Sequence, residues 1–389
     1  MDARGTLLLP GPRSRLGLAL AVLGAVAVVV GLLVAPQRTG ANLLLASQFL
    51  LGIGLGGVFF LALHSACGAR WASALLTVPC AMSALLPVGA AGMVALLLVR
   101  PGIYPWLAGG PGEAHALSGF QALWLDRTFF LARSVLYLAL WIGIGRALAR
   151  RSLAAAGFAA RGPAAPPGRL SALFLVVFAL TFSAASFDWI MALEPEWTST
   201  IFAVYNFAGM FVSALAVMIL LSVWLQRRGP FRDVLTADHL HDLGKLLFAF
   251  STFWMYIWFS QYMLIWYANI PEETAYFVAR LRGAWAPLFV LNFFVNWVVP
   301  FFALLSRHAK RNPALLVQVA LLVLLGRWLD LYLMILPSVE TTAPGGPWEL
   351  GLAAGAAGAL LLVLPRTLDR SPSPVARSAG LRGTLPPAG

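Results

Sequence analysis

The chain has 389 residues, 60% of them hydrophobic and only 11% charged, with a mean hydropathy of +0.83. A soluble domain of this length carries about a quarter charged residues, so the composition excludes one and predicts an all-α, polytopic integral membrane protein. The net charge of +12 does not indicate a nucleic-acid partner, because the basic residues sit in short segments between apolar stretches, where membrane topology accounts for them. The two cysteines, Cys67 and Cys80, stand alone in apolar runs. Covalent c-type haem and a cysteine-held iron–sulfur cluster are thereby excluded from this chain alone.

Taking roughly 20 apolar residues per span, ten transmembrane helices are predicted, near 16–35, 44–67, 74–99, 128–148, 170–187, 200–225, 244–268, 284–305, 314–336 and 349–365. Residues 1–15 form a cytoplasmic N-terminus. The first span is too long for the apolar region of a signal peptide, which runs to about 15 residues. In the second span, GIGLGG (52–57) lacks a preceding strand, so Gly52 and Gly56 suit close helix packing rather than a nucleotide. His64 is the one histidine at membrane depth and offers a proton relay, a quinone contact or a packing residue. A bis-histidine haem site within the membrane is not available. Segment 100–127 is rich in Gly and Pro, and 149–169 contains ARGPAAPPGR.

Arg133, in the fourth span, either pairs with Asp126 or an acid on a neighbouring helix, or reaches the interface. The fifth and sixth spans are joined by a stretch in which Asp188, Glu194 and Glu196 lie among Trp189 and Trp197. That pattern fits an interfacial aromatic belt, or a carboxylate cluster at the mouth of a proton or quinol site. The seventh span, within HDLGKLLFAFSTFWMYIWFSQYMLIWYANIPEET (241–274), carries Gln261, Tyr262 and Tyr267. Polar side chains at membrane depth face a bundle interior or a wet cavity, so this helix is expected to line one. At its start, Asp242 and Lys245 are spaced to pair. His239 and His241 point to different faces, which disfavours a metal site. Asn292 and Asn296, four apart in the eighth span, share a face and are placed to bond the seventh. In the ninth, Arg327 and Asp330 are three apart and can pair, as a proton-path or ligand site or as a clasp between helices. Residues 366–389 read as a disordered cytoplasmic tail.

With the N-terminus inside, the inner segments hold most of the 27 basic residues. The outer ones hold only Arg38, Arg100, Arg127, Arg280 and Arg282, and Arg133 and Arg327 fall within spans. This alternation predicts both termini in the cytoplasm.

Four strings in order, DWIMALEPEWTSTIFAVYNFAG (188–209), residues 241–274, VPFFALLSRHAKRNP (299–313) and GRWLDLYLMILP (326–337), resemble the second large membrane subunit of bacterial alternative complex III, a short relative of the polysulfide-reductase and NrfD-type membrane anchors. The resemblance covers at least 183–337. It implies an inner-membrane quinol:cytochrome c oxidoreductase in which this chain holds two four-helix bundles, about 44–187 and 200–336, within a membrane domain of 16–365. It implies as partners a sister NrfD-like subunit, an iron–sulfur protein, multihaem c-type cytochromes, small membrane subunits and lipid. Haem and iron–sulfur centres then belong to the partners, no metal is held here, and the possible ligand is a quinone or quinol. Proton-path candidates chosen from the sequence itself are Asp330, Arg327, His64, Asp188, Glu194 and Arg133. Cavity or quinone candidates are Gln261, Tyr262, Asn292 and Asn296. Two other readings stand beside this one. A structural scaffold would use the same residues as clasps. A proton-coupled transporter would need paired broken helices in two halves, and no convincing pair is visible.

Overall fold

The computed structural model describes residues 11–69, 71–72, 75–108, 119–158, 168–227, 231, 235–339 and 345–370. Among these residues all regular structure is helical and no strand occurs. The chain is an all-α polytopic membrane protein. Its main helices are α1 (Gly11–Val34), α2 (Pro36–Ala66), α3 (Thr77–Val99), α4 (Arg127–Phe158), α5 (Gly168–Trp189), α6 (Phe202–Gln226), α7 (Ala237–Ala268), the short α8 (Pro271–Leu281), α9 (Gly283–Ala303), α10 (Pro313–Val339) and α11 (Pro347–Asp369). Nine of the described helices are long and apolar enough to cross a membrane; α7 is not among them. The expected seventh span is thus long enough, at 32 residues, but more polar than its neighbours. Of the polar residues noted in its sequence, Gln261 lies on the inward face with Ser251, Tyr262 is half-buried, and Tyr267 faces outward.

The order of the helices leaves most lysines and arginines at one end of the bundle and Glu194, Glu196, Glu272 and Glu349 at the other. We call these the basic and acidic ends. At the centre, α2, α6 and α10 pack on one another. Their surfaces are mostly covered, whereas α1 and α9 are largely outward-facing. α3 and α5 pack on α2, α7 lies along α6, and α9 lies against α7 and α10. Close approach at the centre depends on small residues. A Cβ on Gly56 would stand 2.2 Å from the Cβ of Ala214, and one on Gly54 2.9 Å from Leu86. Without a hydrophobic drive between helices in lipid, such close packing is what holds them. The same device joins α1 to α11 at the periphery, where a Cβ on Gly24 would meet the Gly355 Cα at 2.3 Å. At the acidic end an ion pair from Arg38 of α2 to Glu349 (2.6 Å) fastens α11 to α2.

Several boundaries differ from the expected ones. α4 runs ten residues past the predicted end because its amphipathic continuation, RALARRSLAAAGF, is strongly helix-forming. α7 starts at Ala237, capped by Thr236 with His239, whose ring accepts the Thr236 N–H at 3.2 Å. His239 is therefore a capping residue. Asp242 and Lys245 do pair, at 2.7 Å. α7 ends on Asn269 in the left-handed region (φ 49°), a usual helix stop. Pro271 then opens α8. Residues 366–369, expected in the tail, form the last turn of α11, and 371–389 lie outside the described residues. So does His115.

Candidate functional site

Asp330 is fully buried where α6, α7, α9 and α10 meet. Arg327, one turn earlier on α10, pairs with it at 2.6 Å (Nη1 to Oδ2), as the spacing predicts. Three more donors reach the same carboxyl: the Tyr205 hydroxyl from α6, the Asn292 amide from α9 (3.2 Å) and the Trp254 indole from α7 (3.3 Å). Arg327 extends the network by donating to Asn206 Oδ1 at 2.5 Å, and Asn206 donates to Ser186 at 3.0 Å. A buried carboxylate is tolerated only when paired and hydrogen-bonded, and this one draws on four helices.

Two glycines and an irregular turn make room for it. A Cβ on Gly209 would lie 2.3 Å from Arg327 Nη1, so the guanidinium fits only against a bare backbone. A Cβ on Gly326 would lie 2.6 Å from Asn296 Oδ1. In α9, Phe294–Val298 winds as a π-helix. Such bulges free backbone groups and cluster at functional sites. Here the Asn296 carbonyl accepts the Ser251 hydroxyl from α7. The Asn296 side chain donates to Asn292 Oδ1 (2.7 Å) and to the Gly326 carbonyl (3.0 Å). The asparagines were expected to bond the seventh span. The Asn292 side chain turns to α10 instead, where Asp330 is the strongest acceptor within reach, and that of Asn296 turns to Asn292 and to the Gly326 carbonyl of α10.

Toward the acidic end lies a second centre. Arg280, counted from sequence as an outer-loop residue, is only 1% exposed. Pro337 has no N–H, so the carbonyl of Leu333, four residues earlier in α10, lacks its helical donor. Arg280 Nε supplies one at 2.7 Å. Its other nitrogens donate to Glu194 (3.1 Å), the carbonyls of Tyr276 and Met334, and Ser338. Ser338 in turn donates to Glu194. The guanidinium lies 3.3 Å from the Tyr276 ring centroid, and Tyr276 stacks on Trp197 at 3.9 Å. Burial pushes the Tyr276 phenol up to about 12, with Arg280 acting the other way. Between the two centres is a small cavity lined by Tyr205, Gln261, Tyr276, Arg280, Asn292 and Met334. Gln261 thus lines a cavity, as expected of the seventh helix. Tyr262 does not; it packs against Phe277 and Phe289.

On the other side of Arg327 a second small cavity is lined by Gln48, Trp141, Ser186, Asn206 and Met210. Beyond it the polar groups thin out. From Leu51 to Leu61, α2 carries only apolar side chains and glycine, and α6 is apolar from Ala214 to Leu221.

Three other candidates sit apart. Arg133 pairs with Asp188 (3.0 and 3.1 Å), the neighbouring-helix option, rather than reaching the interface. Tyr137 (3.0 Å) and the Trp124 indole (2.8 Å) complete that cluster. His64 lies at the basic end of α2, where its ring stacks on Phe60, and it makes no contact with the Asp330 network. Among the described residues no group of three or more His, Cys, Asp or Glu is placed to hold a metal.

Sequence reasoning did not single out Tyr205, Asn206, Trp254 or Arg280. For Arg280 a signal exists. In the amphipathic α8, Tyr276, Phe277 and Arg280 share the buried face, and Pro337 announces a carbonyl needing a donor. Compared with models of known protein families and with curated proteins, the chain matches none.

Proposed function

We propose that this chain is a membrane subunit, without redox centres of its own, of a quinol:cytochrome c oxidoreductase of the alternative complex III type, and that it moves protons in support of quinol oxidation. The observation that carries the reading is the buried Asp330 network, with a small cavity between it and the Arg280–Glu194 pair on its acidic side. Carboxyl, phenol and amide groups with intervening water are the means by which a proton enters a hydrocarbon layer. The four strings that resemble the family include Asp330, Arg327, Tyr205 and Gln261. On this reading the acidic end faces outward and the basic end the cytoplasm, in keeping with the positive-inside pattern. Quinone, haem and iron–sulfur chemistry, the sister membrane subunit, the iron–sulfur protein and the multihaem cytochromes are assigned to the assembled complex in the bacterial inner membrane.

A scaffold reading has one specific observation in its favour. Asp188 accepts from Arg133, Tyr137 and Trp124, which is what a clasp between helices requires. The test is purification of the tagged chain from gently solubilised membranes, with haem spectra and quinol:cytochrome c activity on the eluate. Co-purifying c-type haem and activity are expected. A haem-free chain isolated alone, under conditions that keep other respiratory complexes intact, overturns the assignment.

A further inference from the structure

The buried ion pair of α10 is flanked by two cavities, each of about 10 Å³. That is room for about one water apiece. Each cavity is also lined by a glutamine that has one buried amide atom without a hydrogen-bond partner among the described protein groups: Gln261 (Oε1) on the acidic side and Gln48 (Nε2) on the other. Gln261 is 3% exposed, so bulk solvent does not satisfy it. An unpaired amide group in such a place is costly, and a water needs two to four polar partners to be held. Both conditions are met. The first cavity offers Gln261, the Tyr205 and Tyr276 phenols and Asn292. The second offers Gln48, Ser186, Asn206 and Arg327.

We infer that each cavity binds one structural water, held by Gln261 in the first and Gln48 in the second. The first water joins the Tyr205–Asp330 bond to Tyr276 beside Arg280 and Glu194. The second extends the Arg327–Asn206 branch toward α2. Gln261 is therefore a positioning residue. It never carries the proton, but it fixes the water through which Asp330 communicates with the acidic end. That last role rests on the proton-transfer reading above; the two water sites do not.

Radiolytic hydroxyl labelling of the intact purified protein, in whatever complex it occupies, reads bound water without reading turnover. Side chains beside a held water are oxidised although buried. Tyr276 (6% exposed) and Met334 (2%) are expected to label several-fold more than Met82 and Met218, which are fully buried away from both cavities. Met210, at the second cavity, is expected to behave like Met334. Gln261→Leu should lower labelling at Tyr276 and Met334 several-fold and leave Met210 unchanged, whereas Gln261→Glu, which keeps an acceptor, should preserve it. Gln48→Leu should do the converse. Wild-type labelling at Tyr276, Met334 and Met210 no higher than at Met82 and Met218 overturns the inference without any variant. So does labelling that Gln261→Leu leaves intact. Labelling as expected with turnover unaffected by Gln261→Leu retains the water sites and removes the proton role.

Discussion

Asp188 and Asp330 each meet one arginine, one tyrosine phenol and one tryptophan indole. Around Asp188 both carboxyl oxygens are taken up, while Arg133 Nη1 is buried without a hydrogen-bond partner among the described residues. Arg133 grips both carboxyl oxygens, its guanidinium is covered by Trp124 (4.1 Å) and Phe129 (4.3 Å), and Asp188 lines neither small cavity. Around Asp330 the set is open. Arg327 reaches one carboxyl oxygen through one nitrogen and turns its other nitrogen to Asn206; Asp330 itself lines neither cavity, but its partners Tyr205 and Asn292 line the first and Arg327 the second, whereas no partner of Asp188 lines either. The same four residue types thus build a clasp in one half of the bundle and a wet junction in the other. What separates them is the space left by Gly209, the π-helical turn of α9, and the amides that fill out the network, none of which is a charge.

The largest effects should come from removing either arginine. Truncating one partner of a buried pair leaves an uncompensated charge, at a cost of about 3–5 kcal/mol. Arg133→Leu and Arg327→Leu should therefore both lower the thermal midpoint of the purified protein strongly. Arg133→Leu should do so more, since Asp330 keeps three neutral donors and the adjoining water sites. Equal losses would mean that Asp330 is as closed a clasp as Asp188. Next comes Gly209→Ala. Its Cβ would sit 2.3 Å from Arg327 Nη1, so the guanidinium must shift, with an overpacking cost of about 1–3 kcal/mol. The expected result is lower activity at Asp330 with Asp188-dependent stability retained. An unchanged protein would show that the arginine is not held by that glycine.

The smallest effect concerns Tyr276. Its folded phenol is raised to about 12 by burial. A raised value contributes stability that is whole below the unfolded value near 10 and is lost as pH rises from about 10 through about 12. Melting followed across that range should fall in the wild type and fall less in Tyr276→Phe. Identical alkaline profiles would contradict the buried, neutral phenol at the acidic junction.

Much of this was legible in the sequence, for physical reasons. Apolar length marked the spans, and the i,i+3 spacing marked Arg327–Asp330. The polarity of α7 pointed to an interior, where Gln261 is found, although Tyr267, part of the same signal, is exposed. Helix-to-helix registration was not legible. Nothing local to Arg133 says that its partner is Asp188 rather than Asp126, because the choice depends on how α4 and α5 slide together. Arg280 was hidden for a similar reason: a cation in a short segment reads as solvated until the Pro337-freed carbonyl of α10 is brought against it. The sequence leaves His64 open between a relay, a quinone contact and a packing residue near the inner end; α2 carries it to the basic end, where its ring stacks on Phe60.

The most direct test is a paired measurement of quinol:cytochrome c turnover and proton release in complex carrying Asp330→Asn or Asp188→Asn. Both substitutions keep shape and remove a proton-accepting carboxyl. The account predicts that Asp330→Asn lowers proton-coupled turnover by about 10²-fold, the lower range for loss of a positioned acid or base, while Asp188→Asn reduces thermal stability and leaves turnover per assembled complex near wild type. Full turnover and proton release with Asp330→Asn would contradict it, and would leave both centres as clasps of a structural subunit.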